Sequence, residues 1–123
     1  MPDIKPIPVE ETHPTIDFAN VFRVQWTMAT GDTAVPAKLA RFADRAIQIG
    51  GTFSGATVKV EGSLDGVTWS TLRDGEGLDL TAITDARIKY IQEPTAFLRP
   101  VVSGGDVNTA LTITLMATRG GGL

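Results

Sequence analysis

The sequence predicts an all-β protein: an antiparallel β-sandwich of jelly-roll type with about eight strands, preceded by an extended N-terminal arm. Two observations carry that prediction. Apolar and polar residues alternate with period two along most of the chain, most plainly in Ala56–Leu72 (ATVKVEGSLDGVTWSTL), where Val58 and Val60 alternate with Lys59 and Glu61. Turn signals separate these runs, drawn from the 13 glycines and 7 prolines of the 123-residue chain. Residues 1–15 read as the arm and residues 16–123 as a single sandwich domain.

The elements follow in order. In the first fifteen residues Pro2, Pro6, Pro8 and Pro14 remove backbone donors, so this stretch cannot run as a central strand. Two readings stand for it: a frayed terminus, or an arm laid along a neighbouring subunit. Val21–Ala29 places Phe22, Val24, Trp26 and Met28 on one face, and Gly31-Asp32 ends it. Ala37–Arg45 is the one segment with helical spacing, through Leu39, Phe42 and Ala46. Ala46–Phe53 turns Ile47, Ile49 and Phe53 to one side, and Gly50-Gly51 predicts a bulge or a close backbone approach.

In the hairpin, Ser63-Leu64-Asp65-Gly66 supplies the turn, and Val67 and Trp69 are expected to resume the alternation on the return strand. Leu78 and Leu80 mark a short strand, and Thr81–Arg87 has room for one helical turn. Arg87–Gln92 and Ala96–Ser103 read as two more strands, with Pro100 assigning the second to an edge or a bulge. The last strand alternates Leu111, Ile113, Leu115 and Ala117 with Thr112, Thr114, Met116 and Thr118. Trp26, Trp69, Phe22, Phe53 and Tyr90 are the expected large core members. Ala96–Ser103 is apolar on both faces. Phe97 and Val101 are expected to face the core, leaving Leu98, Pro100 and Val102 for an oligomer interface.

A chain of this length buries roughly 65–70% of its unfolded surface, enough for one core without staples. It has no cysteine, which removes disulfides and thiolate metal sites and fits a reducing compartment. A net charge of −3 and a pI near 5.0 count against nucleic acid as a partner. No apolar run approaches the ~18 residues a membrane span needs, and Met1-Pro2-Asp3-Ile4-Lys5 is not a signal peptide. A soluble protein with no membrane or nucleic-acid partner is expected.

Chemistry-bearing patterns are sparse. His13, the one histidine, sits beside Glu10 and Glu11 in the proline-rich stretch, without the held geometry a general base needs. Asp32, Asp65, Asp74 and Asp106 adjoin glycines, but no calcium loop forms, and Asp106 with Asn108 supplies too few ligands. These Asp-Gly pairs read as turn builders. Trp69 after the hairpin turn could serve as a sugar-stacking platform, but its alternation with Val67 favours the core. The tail Arg119-Gly120-Gly121-Gly122-Leu123 carries a single Arg-Gly-Gly and reads as a frayed end. No enzyme, and no catalytic, metal-binding or cofactor-binding residue, is expected.

Glu61-Gly62-Ser63-Leu64-Asp65-Gly66-Val67-Thr68-Trp69 resembles the Gly-Ser-x-Asp-Gly-x-x-Trp hairpin of jelly-roll modules, found in discoidin-type binding domains and in tailed-phage virion proteins. Gly31-Asp32-Thr33, Phe42–Phe53 and Phe97–Asp106, with the threonine-rich last strand, narrow the likeness. Over residues 21–119 the chain resembles small structural proteins of tailed bacteriophages. The resemblance implies a capsid cement (decoration) protein, made in the host cytoplasm and bound to the outer capsid surface. Its implied partners are the phage major capsid protein and further copies of itself, a dimer before a trimer. Ile4, Pro6, Ile7, Pro8 and Val9 become the expected capsid-binding anchors of the arm. A tail or head–tail accessory protein and a discoidin-like carbohydrate-binding module are the alternatives.

Overall fold

The computed structural model describes residues 3–8, 21–39, 42 and 44–118. Among them are eleven strands and no helix: β1 (Asp3–Ile4), β2 (Ile7–Pro8), β3 (Val21–Met28), β4 (Thr33–Ala34), β5 (Ala37–Lys38), β6 (Asp44–Thr52), β7 (Ala56–Ser63), β8 (Ser70–Thr71), β9 (Arg87–Ile91), β10 (Phe97–Gly104) and β11 (Ala110–Thr118). One sheet runs β5-β10-β7-β8 and the other β2-β3-β11-β6-β9, with antiparallel neighbours throughout. β1 and β4 form a separate parallel pair. The two antiparallel sheets pack together as a sandwich.

The alternation read from the sequence places the core. Val24, Trp26 and Met28 of β3, Ile47 and Ile49 of β6, and Leu111, Ile113, Leu115 and Ala117 of β11 point inward from the larger sheet. Ala56, Val58 and Val60 of β7 and Leu98 of β10 meet them from the smaller one. Burying each large aliphatic side chain contributes about 1.5–3 kcal/mol. The indole of Trp26 is fully enclosed, and its Nε1–H donates to the Val35 carbonyl at 2.9 Å, so no buried donor is wasted. Phe22 and Phe53 pack against the core margin, Phe22 beside Phe42 with ring centroids 5.3 Å apart.

Gly51 resolves the Gly50-Gly51 reading as a close backbone approach. It lies opposite Leu111 at φ 104°, and a Cβ added there would collide with the Ala110 carbonyl oxygen. Pro100 is accommodated by the hydrogen-bonding pattern. Val60, its partner on β7, donates to the Leu80 carbonyl and accepts from the Leu72 N–H, so the Val60–Pro100 pair is the non-hydrogen-bonded kind. The proline nitrogen therefore faces the other side of β10, where β5 pairs only with Phe97 and Leu98. At Pro100 this interior strand behaves as an edge.

The helix expected over Ala37–Arg45 does not form. β5 occupies Ala37–Lys38, the Leu39 N–H donates to the Ala96 carbonyl, and β6 begins at Asp44. Arg45 explains the outcome. It shares the inward side of β6 with Ile47 and Ile49, and its buried guanidinium binds the carbonyls of Leu39 (3.3 Å) and Phe42 (2.9 Å), the Thr95 hydroxyl (3.1 Å) and the Thr95 carbonyl. A helix over Ala37–Arg45 would have used the Leu39 carbonyl internally. Thr81–Arg87 likewise forms no helical turn, since Ile83 bridges Val58 in both directions. Leu78 and Leu80 form no strand either. Leu80 donates to the Leu72 carbonyl and is buried, whereas Leu78 is exposed.

Two substitutions test these constraints by chemical denaturation. Gly51→Ala is expected to cost about 2–4 kcal/mol, while Gly50→Ala, whose added Cβ meets nothing within 4 Å, stays within about 1 kcal/mol. Arg45→Met is expected to cost about 3 kcal/mol by orphaning buried carbonyls, and Arg45→Lys recovers little because an ammonium cannot reproduce the fork.

Candidate functional site: a pinned loop with apolar tips

Ser63 and Asp65 turn the segment after β7 into a fixed loop. Ser63 Oγ accepts the N–H groups of Gly66 at 2.8 Å and Asp65 at 3.2 Å, and donates to Asp65 Oδ1 at 2.9 Å. Asp65 Oδ1 accepts the N–H groups of Val67 and Thr68, each at 2.8 Å. Gly66 supplies the left-handed φ of 78°, with the Phe97 ring packed against it. The expected return of Val67 and Trp69 to the core does not occur. Asp65 takes the N–H groups of Val67 and Thr68, the return strand shrinks to β8, and Leu72, just after it, is the residue that turns inward. Leu64 and Val67 are left 76% and 81% exposed on a loop whose backbone is already fixed.

Trp69 lies outside the core. The Arg99 guanidinium stacks 3.9 Å from its ring centroid, a cation–π contact. Nε and Nη2 of Arg99 bind Glu61 Oε1 at 3.0 and 2.9 Å, and Lys59 Nζ lies 3.1 Å from Glu61 Oε2. Burial works to raise the Glu61 carboxyl, but the hydrogen bonds from Arg99 and Lys59 outweigh it and hold the group below its ordinary value. A groove of about 410 Å³ runs beside this cluster, between Gly31–Ala34 and Arg99–Val102. Tyr90, also expected in the core, is half-exposed on the outer face of the larger sheet, because it pairs with outward-facing Ala46.

The expected anchors and interface residues fall elsewhere. β1 pairs with the chain's own β4 and β2 with its own β3, so residues 3–8 lie on this sandwich; Ile4 packs against the core and Ile7 stays exposed. Pro6 is half-buried between them, Pro8 pairs with Val24, and Val9 lies outside the described residues. Leu98 is fully buried and Pro100 buried within one chain, which corrects their assignment to an oligomer interface; Val102 packs partly on the core. The inward side of β10 is the even-numbered one, because Leu98 lies opposite Gly62 and Pro100 opposite core residue Val60. Phe97 and Val101, expected inward, are only half-buried. His13 and the glycine tail lie outside the described residues.

The remaining Asp-Gly carboxylates cap turns. Asp32 accepts the Ala29 N–H, Asp74 those of Glu76 and Leu78, and Asp106 that of Asn108 together with the Ser54 hydroxyl. Backbone donors from Thr68 and Val67 hold Asp65 low. Asp74 is held low first by the Leu78 N–H, and Asp106 first by the Ser54 hydroxyl. A sequence signal for the loop existed. Serine two residues before Asp-Gly is the pattern of side chains that cap their own backbone.

Carboxyls held low in the folded state contribute stability that is complete above their unfolded values and lost as pH falls through the folded ones. The midpoint of thermal unfolding is therefore expected to be level from neutrality to about pH 5 and to drop below about pH 4. Asp65→Asn is expected to flatten part of that drop; an unchanged acid slope in that variant would contradict the pinning role.

Comparison of the chain with protein-family models, with curated proteins and with solved structures finds no match.

Proposed function

We propose that the protein is a capsid cement protein of jelly-roll type, bound to the outside of a tailed-phage head and clamping neighbouring major capsid subunits. The observation that carries this reading is the pinned loop. Leu64 and Val67 project from a backbone fixed by Ser63 and Asp65, so docking them into a protein surface buries apolar area with little ordering entropy. The loop is also the segment in which the chain resembles virion jelly rolls. Many copies, each with a modest contact, hold a shell against internal pressure through multivalency. With residues 3–8 seated on the chain's own sheets, the loop takes over the anchoring first expected of the arm.

A second reading has its own observation. Trp69 sits outside the core, beside a groove carrying Asp32, Glu61 and Arg99, an arrangement a discoidin-like carbohydrate-binding module could use.

Co-sedimentation with expanded heads lacking the protein, and with unexpanded shells, tests the proposal. Saturable, high-copy binding to expanded heads is expected, with Leu64→Asp plus Val67→Asp weakening it at least about tenfold. Binding that survives both substitutions removes the loop from the contact. No binding to either shell, together with a glycan-dependent shift of Trp69 emission, favours the carbohydrate reading.

A further inference from the structure

The outer face of the five-stranded sheet has a symmetry of its own. Residues directly opposite one another across the ladders point to the same side. The registers Ile7↔Gln25, Gln25↔Thr114, Thr114↔Gln48 and Gln48↔Ile88 therefore form one row across all five strands. That row reads Ile-Gln-Thr-Gln-Ile, a palindrome centred on Thr114 of the middle strand. Its ends, Ile7 and Ile88, are 65% and 66% exposed.

The adjacent row is Arg23, Met116, Ala46 and Tyr90. Met116 and Tyr90 are exposed, and a shallow hollow of about 160 Å³ lies between them over Ala46. The next row, Thr27, Thr112 and Gly50, is neutral. Arg23 and Asp44 are the charged residues that β3, β6 and β11 carry on this face. The other sheet instead carries Lys38, Lys59, Glu61 and Arg99 outward.

We infer that this face is the self-association surface of the protein and that its occupant is a second copy of the chain. An isologous interface needs a patch complementary to itself under a two-fold rotation. With the axis along β11, stacking two such faces sets Ile7 against Ile88 of the second copy, Gln25 against its Gln48, and Met116 against its Met116. The amide side chains meet as donor and acceptor, and Arg23 is carried over the Ala46 position of the second copy, next to its Asp44. Few charges, with tyrosine and methionine present, match the composition of interface centres. With strands about 4.8 Å apart and a rise of about 3.3 Å per residue, the two, eight, nine, nine and five residues of β2, β3, β11, β6 and β9 give a face of about 500 Å², against the ~800 Å² per partner of a standard complex. That suffices for a reversible dimer. The inference does not depend on the cement reading, and it leaves the loop carrying Leu64 and Val67, on the other sheet, free for another partner.

Sedimentation equilibrium of the full chain without any shell is the test. A concentration-dependent dimer of about 26 kDa, twice the 13.1 kDa chain, is expected. Ile88→Lys and Tyr90→Lys, both at exposed positions, should each weaken it at least about tenfold while leaving the thermal midpoint of the monomer unchanged. Val107→Lys, on the exposed β10–β11 turn, should leave the dimer intact. A protein that stays monomeric at high concentration overturns the inference. So does a dimer indifferent to both face substitutions, or one lost equally with Val107→Lys. Shell binding by a strictly monomeric protein would refute this surface and leave the cement role standing.

Discussion

Arg45 occupies a position that the pleat reserves for an apolar side chain, and the joints between the two sheets depend on it. From β6 of the larger sheet its guanidinium reaches Leu39 and Phe42, which follow β5, and Thr95, which leads into β10. Both are connections to the smaller sheet, and both contain backbone that pairs with no strand at those points. Five fixed donors on one planar group can satisfy carbonyls converging from two directions, which no aliphatic residue could do. Burial lowers the affinity of the guanidinium for its proton, yet leaves it charged at any physiological pH. A permanent charge enclosed by carbonyl dipoles thus fixes how the chain passes from one sheet to the other.

With the joints fixed, the sheet edges are protected against further pairing. Pro100 presents no donor on the side of β10 that β5 leaves uncovered. Lys89 and Arg87 of edge strand β9 stand opposite Ile47 and Ile49, on the inward side, and reach buried Asp74 and exposed Asp85 respectively. β2, the opposite edge, is two residues long and ends in Pro8. Proline, inward-pointing charge and short length are recognised defences against edge-to-edge association. What the molecule offers to partners is therefore its faces and loops.

Those surfaces differ in chemical character. The smaller sheet is charged outside, and its Lys59–Glu61–Arg99 chain ends on Trp69 beneath a loop with apolar tips. The larger sheet carries Arg23 and Asp44 as the charges of β3, β6 and β11 outside, with a palindromic row across β11. A body that pairs through one face and docks through a loop of the other sheet would present two copies of each docking loop, the arrangement in which weak contacts add as avidity.

The sequence by itself determined the all-β, two-sheet sandwich architecture and most of the core strands' inward residues. Period-two alternation identified the inward residues of β3, β6, β7 and β11, because a one-residue slip in any of these strands would turn a buried set outward. It also located the Gly50-Gly51 approach and the exceptional place of Pro100. Other features required the tertiary structure. Leu39, Phe42 and Ala46 fit a helix, yet Ala37–Lys38 and Asp44–Thr52 are strands, and Arg45 is committed to partners up to fifty residues away that the local pattern does not contain. Val67 and Trp69 continue the alternation of Val58 and Val60, yet Asp65 holds the Val67 and Thr68 N–H groups in the loop, and the Glu61↔Thr71 register puts Trp69 on the outer side with Glu61. Leu98 and Tyr90 exchanged their expected places because facing is set by cross-strand register, which a single strand does not contain. The palindromic row is assembled from five separated segments, and no linear reading brings them side by side.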